Sequence, residues 1–291
     1  MRTALILLGI LFLAFSSNTE TIPQITEIMP DTGTNQFPLI FNNQVERWLK
    51  YYVTRGRNWF ARKLQESGKY CEMIKRILKE FGLPENLMYV ALVESGFNPF
   101  AYSRAGAVGI WQLTKHIRKI TGLKHNYWID ERRDVEKSTY AAARELKTLY
   151  NQFGSWTLAI AAYNCGSNAL KQAIKSQGTT DFWALALPIE TMVFVPKVIA
   201  AIMIATDPES YGFSGEIKPA DKFEVVNVTG CIDLNVIAKC CGTSLEEITI
   251  LNPELTNQCT PDQPGEYALK IPEGTRNTFI QNFTKLSYKE K

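Results

Sequence analysis

Glu94 is the last acid before a long gap. From Ser95 through Ile129 the chain has no Asp or Glu. Glu94 ends the apolar run "PENLMYVALVESG", whose spacing predicts a helix with Leu87, Ala91 and Glu94 on one face, stopped by Gly96. A carboxyl at the end of an apolar face is partly desolvated. Desolvation disfavours its charged form and raises its pKa, which makes a carboxyl a proton donor near neutral pH. The competing reading is an exposed acid at a frayed helix end. Downstream, "SRAGAVGIWQ" (103–112) places Gly106 and Gly109 three apart, where backbone can approach a ligand closely. Ser103 and Gln112 offer neutral hydrogen bonds and Trp111 an apolar face, a combination suited to a sugar. The plainer alternative is a glycine-rich turn before an amphipathic helix. Asp130, Glu131 and Asp134 are the nearest acids beyond the gap, and they read as structural.

The elements that must position these residues are mostly helical. "VERWLKYYV" and "WFARKLQESGKYCEMIKRILKEFG" carry apolar residues at three- and four-residue spacing. Gly82 ends the second run and Pro84 opens the next helix. Residues 135–154 form an amphipathic pattern stopped by Gly154. "SWTLAIAAYNCG" is apolar nearly all round and predicts a buried central helix. Residues 190–206 are apolar too, with Pro196 bending the helix or starting its regular part. Composition shifts at 207–221, where Pro, Gly and charged residues mark a boundary. Beyond it, "FEVVNV", "DLNVIAKCCG", "SLEEITILN" and "EYALKIP" read as strand, helix, helix and strand, with Ser244 and Glu247 forming a capping box.

The net charge is +3 over 291 residues, and no Lys/Arg-rich block stands out, so no nucleic-acid partner is expected. Arg2 followed by the apolar run "ALILLGILFLAF" (4–15) and small residues predicts an export signal, too short to span a membrane comfortably. No Cys lies near the cleavage region, so lipid attachment there is not expected. Export makes the six cysteines interpretable as disulfides. Four of them, Cys231, Cys240, Cys241 and Cys259, allow three pairings, and bonding the neighbours Cys240 and Cys241 is strained. That leaves Cys231–Cys240 with Cys241–Cys259, or Cys231–Cys241 with Cys240–Cys259. No C-x-x-C pair and only two His are present, so neither a metal nor a cofactor is expected.

"ESGFNPFAYSRAGAVGIWQ" resembles the catalytic signature of the soluble-lytic-transglycosylase, goose-lysozyme-like superfamily. "DERRDVEKSTYAAARELKTLY" (130–150), "LAIAAYNCG" (158–166) and "LPIETMVFVPKVIAA" (187–201) extend the resemblance to the membrane-bound lytic murein transglycosylase D family. "VIAKCCGTSLEEITILNPEL" and "LKIPEG" resemble a LysM domain, although "CID" (231–233) stands where Gly-Asp-Thr is usual. The resemblance implies a mainly α fold: a lysozyme-like all-helical catalytic domain followed by a small βααβ LysM-like module. The implied divisions are a signal peptide at 1–16, a linker at 17–36, the catalytic domain with an N-terminal helical extension at 37–206, a linker at 207–221, the LysM-like domain at 222–272 and a C-terminal tail at 273–291.

The resemblance also implies roles. Glu94 is the catalytic acid/base. Ser103 and Gln112 contact the glycan near the cleaved bond, Tyr163 and Asn164 line the cleft opposite, and Glu190 contacts substrate. Phe194 and Cys165 depart from the usual Tyr and Ala. The implied partner is the peptidoglycan glycan strand, with the LysM-like module binding its N-acetylglucosamine units, and the implied location is the bacterial periplasm or cell envelope. The implied reaction cuts the β-1,4 bond between N-acetylmuramic acid and N-acetylglucosamine and leaves a 1,6-anhydro end. Ordinary glycoside hydrolysis uses two carboxylates, whereas a lytic transglycosylase manages with one. The alternatives are a hydrolytic muramidase on the same fold and a non-catalytic wall-binding protein.

Overall fold

The computed structural model describes residues 37–286; the expected signal peptide and the linker at 17–36 lie outside the described residues. The N-terminal half is a helical assembly around one apolar core. Asn42 starts α1 (Asn43–Val53), its side-chain oxygen accepting from the Gln44 and Val45 amides at 3.0 Å each. This helix buries Val45, Leu49 and Tyr52. The long helix α2 (Arg57–Glu80) follows, and Gly82 beyond it takes a left-handed conformation. Pro84 precedes a single 3-10 turn that leads into α3 (Met88–Ser95), the short apolar helix that ends with Glu94 and Ser95.

Beyond α3 the chain makes the glycine-rich turn and enters α4 (Lys115–Thr121). Asp134 caps α5 (Val135–Phe153) by accepting from the Lys137 amide at 2.8 Å. Gly154 then turns the chain into α6 (Trp156–Cys165), whose residues from Trp156 to Ala162 are all buried. α7 (Ser167–Gln177) lies outside it, and α8 (Ile189–Thr206) runs through the core with Pro196 inside. The apolar pattern of α8 is that of a central core helix packed against α1, α3 and α6.

The C-terminal module pairs β1 (Phe223–Val228) with β2 (Tyr267–Pro272) as an antiparallel ribbon, Val226 opposite Leu269. Between them lie α9 (Leu234–Cys241) and α10 (Leu245–Leu251), giving the expected βααβ order. Only half of the capping box forms: Ser244 accepts from the Glu247 amide, while the Glu247 carboxylate turns to the Thr243 hydroxyl.

Three expectations are corrected. Part of the segment 273–291, expected as a tail, is a helix, α11 (Arg276–Lys285); it packs on α9, burying Phe279, and Asn282 donates to the Cys240 carbonyl at 3.0 Å. The stretch 207–221 is not a loose tether. Tyr211 and Phe213 are buried in the core of the N-terminal half, the Lys218 amide donates to the Gln65 carbonyl, and Lys69 pairs with Asp221 at 2.7 Å. Neither expected disulfide pairing forms. Cys240 and Cys241 are consecutive on α9 and packed into the module's core, whereas the Cys259 thiol lies against Cys231.

The two halves share a seam. Ile129, from the N-terminal half, belongs to the apolar cluster of the module. Around the Ile129–Leu255 bridge, the Asp130 amide donates to the Glu254 carbonyl and the Thr256 amide to the Trp128 carbonyl, both at 2.9 Å. Lys270 of β2 reaches Asp134 at 3.3 Å.

Candidate active site

Gly96 closes α3 in the left-handed conformation, with its amide bonded to the Leu92 carbonyl at 2.8 Å. Phe97 follows, also at positive φ, and is buried. This double turn stops the helix one residue after Glu94, which is half-buried. Among the described residues nothing hydrogen-bonds to its carboxyl. Burial, with the Glu190 carboxylate adding to it, pushes Glu94 up to about 8. The sequence expectation of a desolvated acid therefore has its physical counterpart. Glu190 sits exposed in the first turn of α8, close enough for its charge to act on Glu94.

The glycine turn forms the wall beside Glu94. The Ser103 hydroxyl accepts from the Ala107 amide at 2.9 Å, and its backbone bonds to Ala107 and Gly106, so Ser103 shapes the turn. Gln112 holds a positive φ of 48°, an unfavourable conformation for a residue with a side chain. Its Nε2 donates to the Gly109 carbonyl at 2.9 Å and, more weakly, to that of Ala101. Its side-chain oxygen accepts nothing from a described residue and is available as an acceptor. Trp111, expected to offer an apolar face, is fully buried, and its indole N–H donates to Thr139 at 2.8 Å. It is a core residue under the wall.

α6 carries Tyr163 and Asn164, and α8 carries Glu190 and Phe194. The Tyr163 hydroxyl donates to the Trp111 carbonyl at 2.8 Å, tying α6 to the turn. Burial raises its pKa well above the ordinary value, with the charges of Glu94 and Glu145 adding to the shift. Asn164 accepts from the Thr191 hydroxyl at 2.7 Å, which fixes its amide plane against α8. Phe194 is buried in the core. Thus Glu94, Tyr163 and Glu190 share one electrostatic environment; the Tyr163 bond ties α6 to the glycine turn, and the Asn164 bond ties α6 to α8. Lys197, two turns beyond Glu190 on α8, lies over the Trp48 ring at 4.4 Å.

Two supports were missed at the level of sequence. The Ser95 hydroxyl donates to the Ile110 carbonyl, and nothing but its position beside Glu94 could have flagged it. Glu145 of α5 is a half-buried acid raised by burial, with His116 opposing the shift; one acid in an amphipathic helix carries no signal of its own. The acids of "DERRD" are structural, as read. Asp130 and Arg132 form a buried pair at 2.7 Å, and the Arg132 guanidinium holds the Asp130 carboxyl below its ordinary value although burial works against the charge. Glu131 pairs with Lys137, and Asp134 caps α5.

A helical domain that brings one raised carboxyl to the end of a short apolar helix, beside a glycine turn, has the layout expected of a lysozyme-like glycan-cleaving enzyme. Residues 72–186 match the Transglycosylase SLT domain, and residues 222–288 match the LysM-like domain of lytic transglycosylase MltD. Over 252 residues, 82% of this chain, it is 31% identical to membrane-bound lytic murein transglycosylase D of Escherichia coli. A shorter match, 27% identical over 122 residues, joins 37% of this chain to 34% of membrane-bound lytic murein transglycosylase C of Edwardsiella ictaluri. An inactive mutant of lytic transglycosylase Slt from Pseudomonas aeruginosa aligns over 48% of this chain and 24% of its own, at 23% identity with a TM-score of 0.39. The chain thus carries a Transglycosylase SLT domain followed by an MltD-type LysM-like domain, and over most of its length it is similar to the murein transglycosylase D family. It spans about half, 55%, of the length of the Escherichia coli relative.

Proposed function

We propose that this protein is a peptidoglycan lytic transglycosylase of the bacterial envelope, with Glu94 as its single acid/base. The observation that carries the reading is the state of Glu94: half-buried, unbonded to any described residue and raised to about 8. At neutral pH such a carboxyl holds a proton it can give away. Glu94 donates it to the oxygen of the β-1,4 bond between N-acetylmuramic acid and N-acetylglucosamine, and the bond from muramic C1 to that oxygen breaks. The muramic C6 hydroxyl then attacks C1, and its proton passes to the Glu94 carboxylate. The ring closes as a 1,6-anhydro sugar, the acid is restored and no water is consumed.

Ser103 and Gln112 support the sugar from the glycine turn, Gln112 through its available oxygen. Tyr163 and Asn164 hold the facing wall, and Glu190 contacts substrate at the α8 end. The LysM-like module binds N-acetylglucosamine-containing glycan. A hydrolytic reading draws on Glu190, whose charge reaches Glu94: two carboxyls roughly 5–10 Å apart across a sugar could activate water. Product mass separates the two. Mass spectrometry of digested peptidoglycan should show ends lighter by one water than hydrolysed ends, and the Glu94→Gln variant should release neither. Mainly heavier, reducible ends would establish the hydrolytic reading instead.

A further inference from the structure

We infer that the C-terminal module is a buttress of the cleft, and that Arg132 is the positioning residue through which its docking reaches Gln112. The inference rests on the proposed site but is drawn from a different set of contacts. On the module side, the Glu254 carbonyl accepts from the Asp130 amide at 2.9 Å, beside the Ile129–Leu255 bridge. The Asp130 carboxylate then grips Arg132 in a fork, Nε to Oδ1 at 2.9 Å and Nη2 to Oδ2 at 2.7 Å. The remaining nitrogen, Nη1, donates to the carbonyls of Gly106 at 2.9 Å and Leu113 at 3.3 Å. Those two carbonyls lie on either side of the segment that carries Gln112.

The geometry leaves little slack. Arg132 is buried, so each of its bonds is made away from water, where a missing partner is costly. Gly109 packs so tightly on this segment that an added Cβ would overlap the Arg132 carbonyl oxygen, and its φ of 82° is left-handed as well. Within the turn, Val108 and Leu113 exchange backbone hydrogen bonds at 3.0 and 3.1 Å. Gln112 sits next to them at a strained φ, a conformation that persists only where its surroundings enforce it. A Lys at position 132 would supply a point charge in place of the planar fork and could not hold both the carboxylate and the two carbonyls.

The test uses the full chain with Leu255→Ala, and Leu255→Lys as a second variant that drives a charge into the seam. Hydrogen exchange at the Thr256 amide reports whether the seam has opened. With it open, the Val108 and Leu113 amides should exchange faster while those of α2 do not. On a short soluble glycan fragment, kcat should fall by about tenfold with KM nearly unchanged, the mark of a displaced site. Leu255→Ile should restore both readouts, and Arg132→Lys should reproduce the loss with the seam closed. Unchanged protection at Val108 and Leu113 and unchanged kcat, with Thr256 exchanging freely, would overturn the inference. A wild-type protein that cleaves no glycan would instead count against the proposed function, and the exchange pattern would still decide the buttress.

Discussion

The Ser95 hydroxyl donates to the Ile110 carbonyl at 2.8 Å, so the residue after Glu94 is fastened to the segment that carries Gln112. The same oxygen accepts from the Asn98 amide at 3.1 Å. One hydroxyl thus joins the end of α3, the turn that follows it and the glycine wall.

Ser95→Ala removes this joint and leaves the Ile110 carbonyl and the Asn98 amide without it. Chemical denaturation should show a loss of about 1 kcal/mol, the usual scale for one internal hydrogen bond. Glycan cleavage should fall by about tenfold as Glu94 loses its fixed relation to the turn. Unchanged stability and rate would remove Ser95 from the support of the site.

The rate of glycan cleavage should be high below about pH 8 and fall above it, because Glu94 must be protonated to act as the acid. Removing the neighbouring like charge with Glu190→Gln lowers the Glu94 pKa, so the alkaline fall of kcat/KM should begin at lower pH. A fall that stays in place would mean that the charge of Glu190 does not reach Glu94 in solution.

Stability carries the same signature with a defined sign. The folded protein holds the Glu94 proton up to about 8, whereas the ordinary value is 4.5. Between those two pH values the unfolded chain binds fewer protons than the folded one, so the contribution of Glu94 to stability declines as pH rises. Glu94→Gln abolishes that dependence. Its melting temperature relative to wild type should therefore climb from pH 4.5 to about 8 and level off above. A constant difference across this window would show an unperturbed carboxyl.

Oxidation should join Cys231 to Cys259, whose side chains already touch across the Asp233–Cys259 bridge. Two thiols give up two protons and two electrons to a disulfide oxidant such as oxidised glutathione, which is reduced to its thiols. Peptide mapping without reductant reads the bond. Cross-links from Cys231 to Cys240 or Cys241 would require α9 to come apart.

The helices and the acid were legible in the sequence because they rest on local rules. Periodicity, Gly82, Gly96 and Gly154 as stops, and the isolation of Glu94 from other acids all lie within a few residues of what they predict. The supports of the site were less legible. Trp111 read as a sugar platform, because an aromatic beside a glycine turn does not say which way it faces; its partner Thr139 is on another helix. The helix at 276–285 was hidden in a polar segment with only Phe279 and Phe283 to pack on the module's core. The cysteine pairing was illegible for a related reason: spacing could not reveal that α11 packs against Cys240 and Cys241 on α9 and that Cys231 lies beside Cys259.

The seam at Ile129 and Leu255 also bears on measurement in the literal sense. A module on a loose string would search a volume around the enzyme and seize its polymer at any point within reach. A module pinned at Asp130 and Asp134 has one offset and one heading relative to Glu94. Under the proposed function, a strand held by the module would reach Glu94 at one fixed distance from that hold.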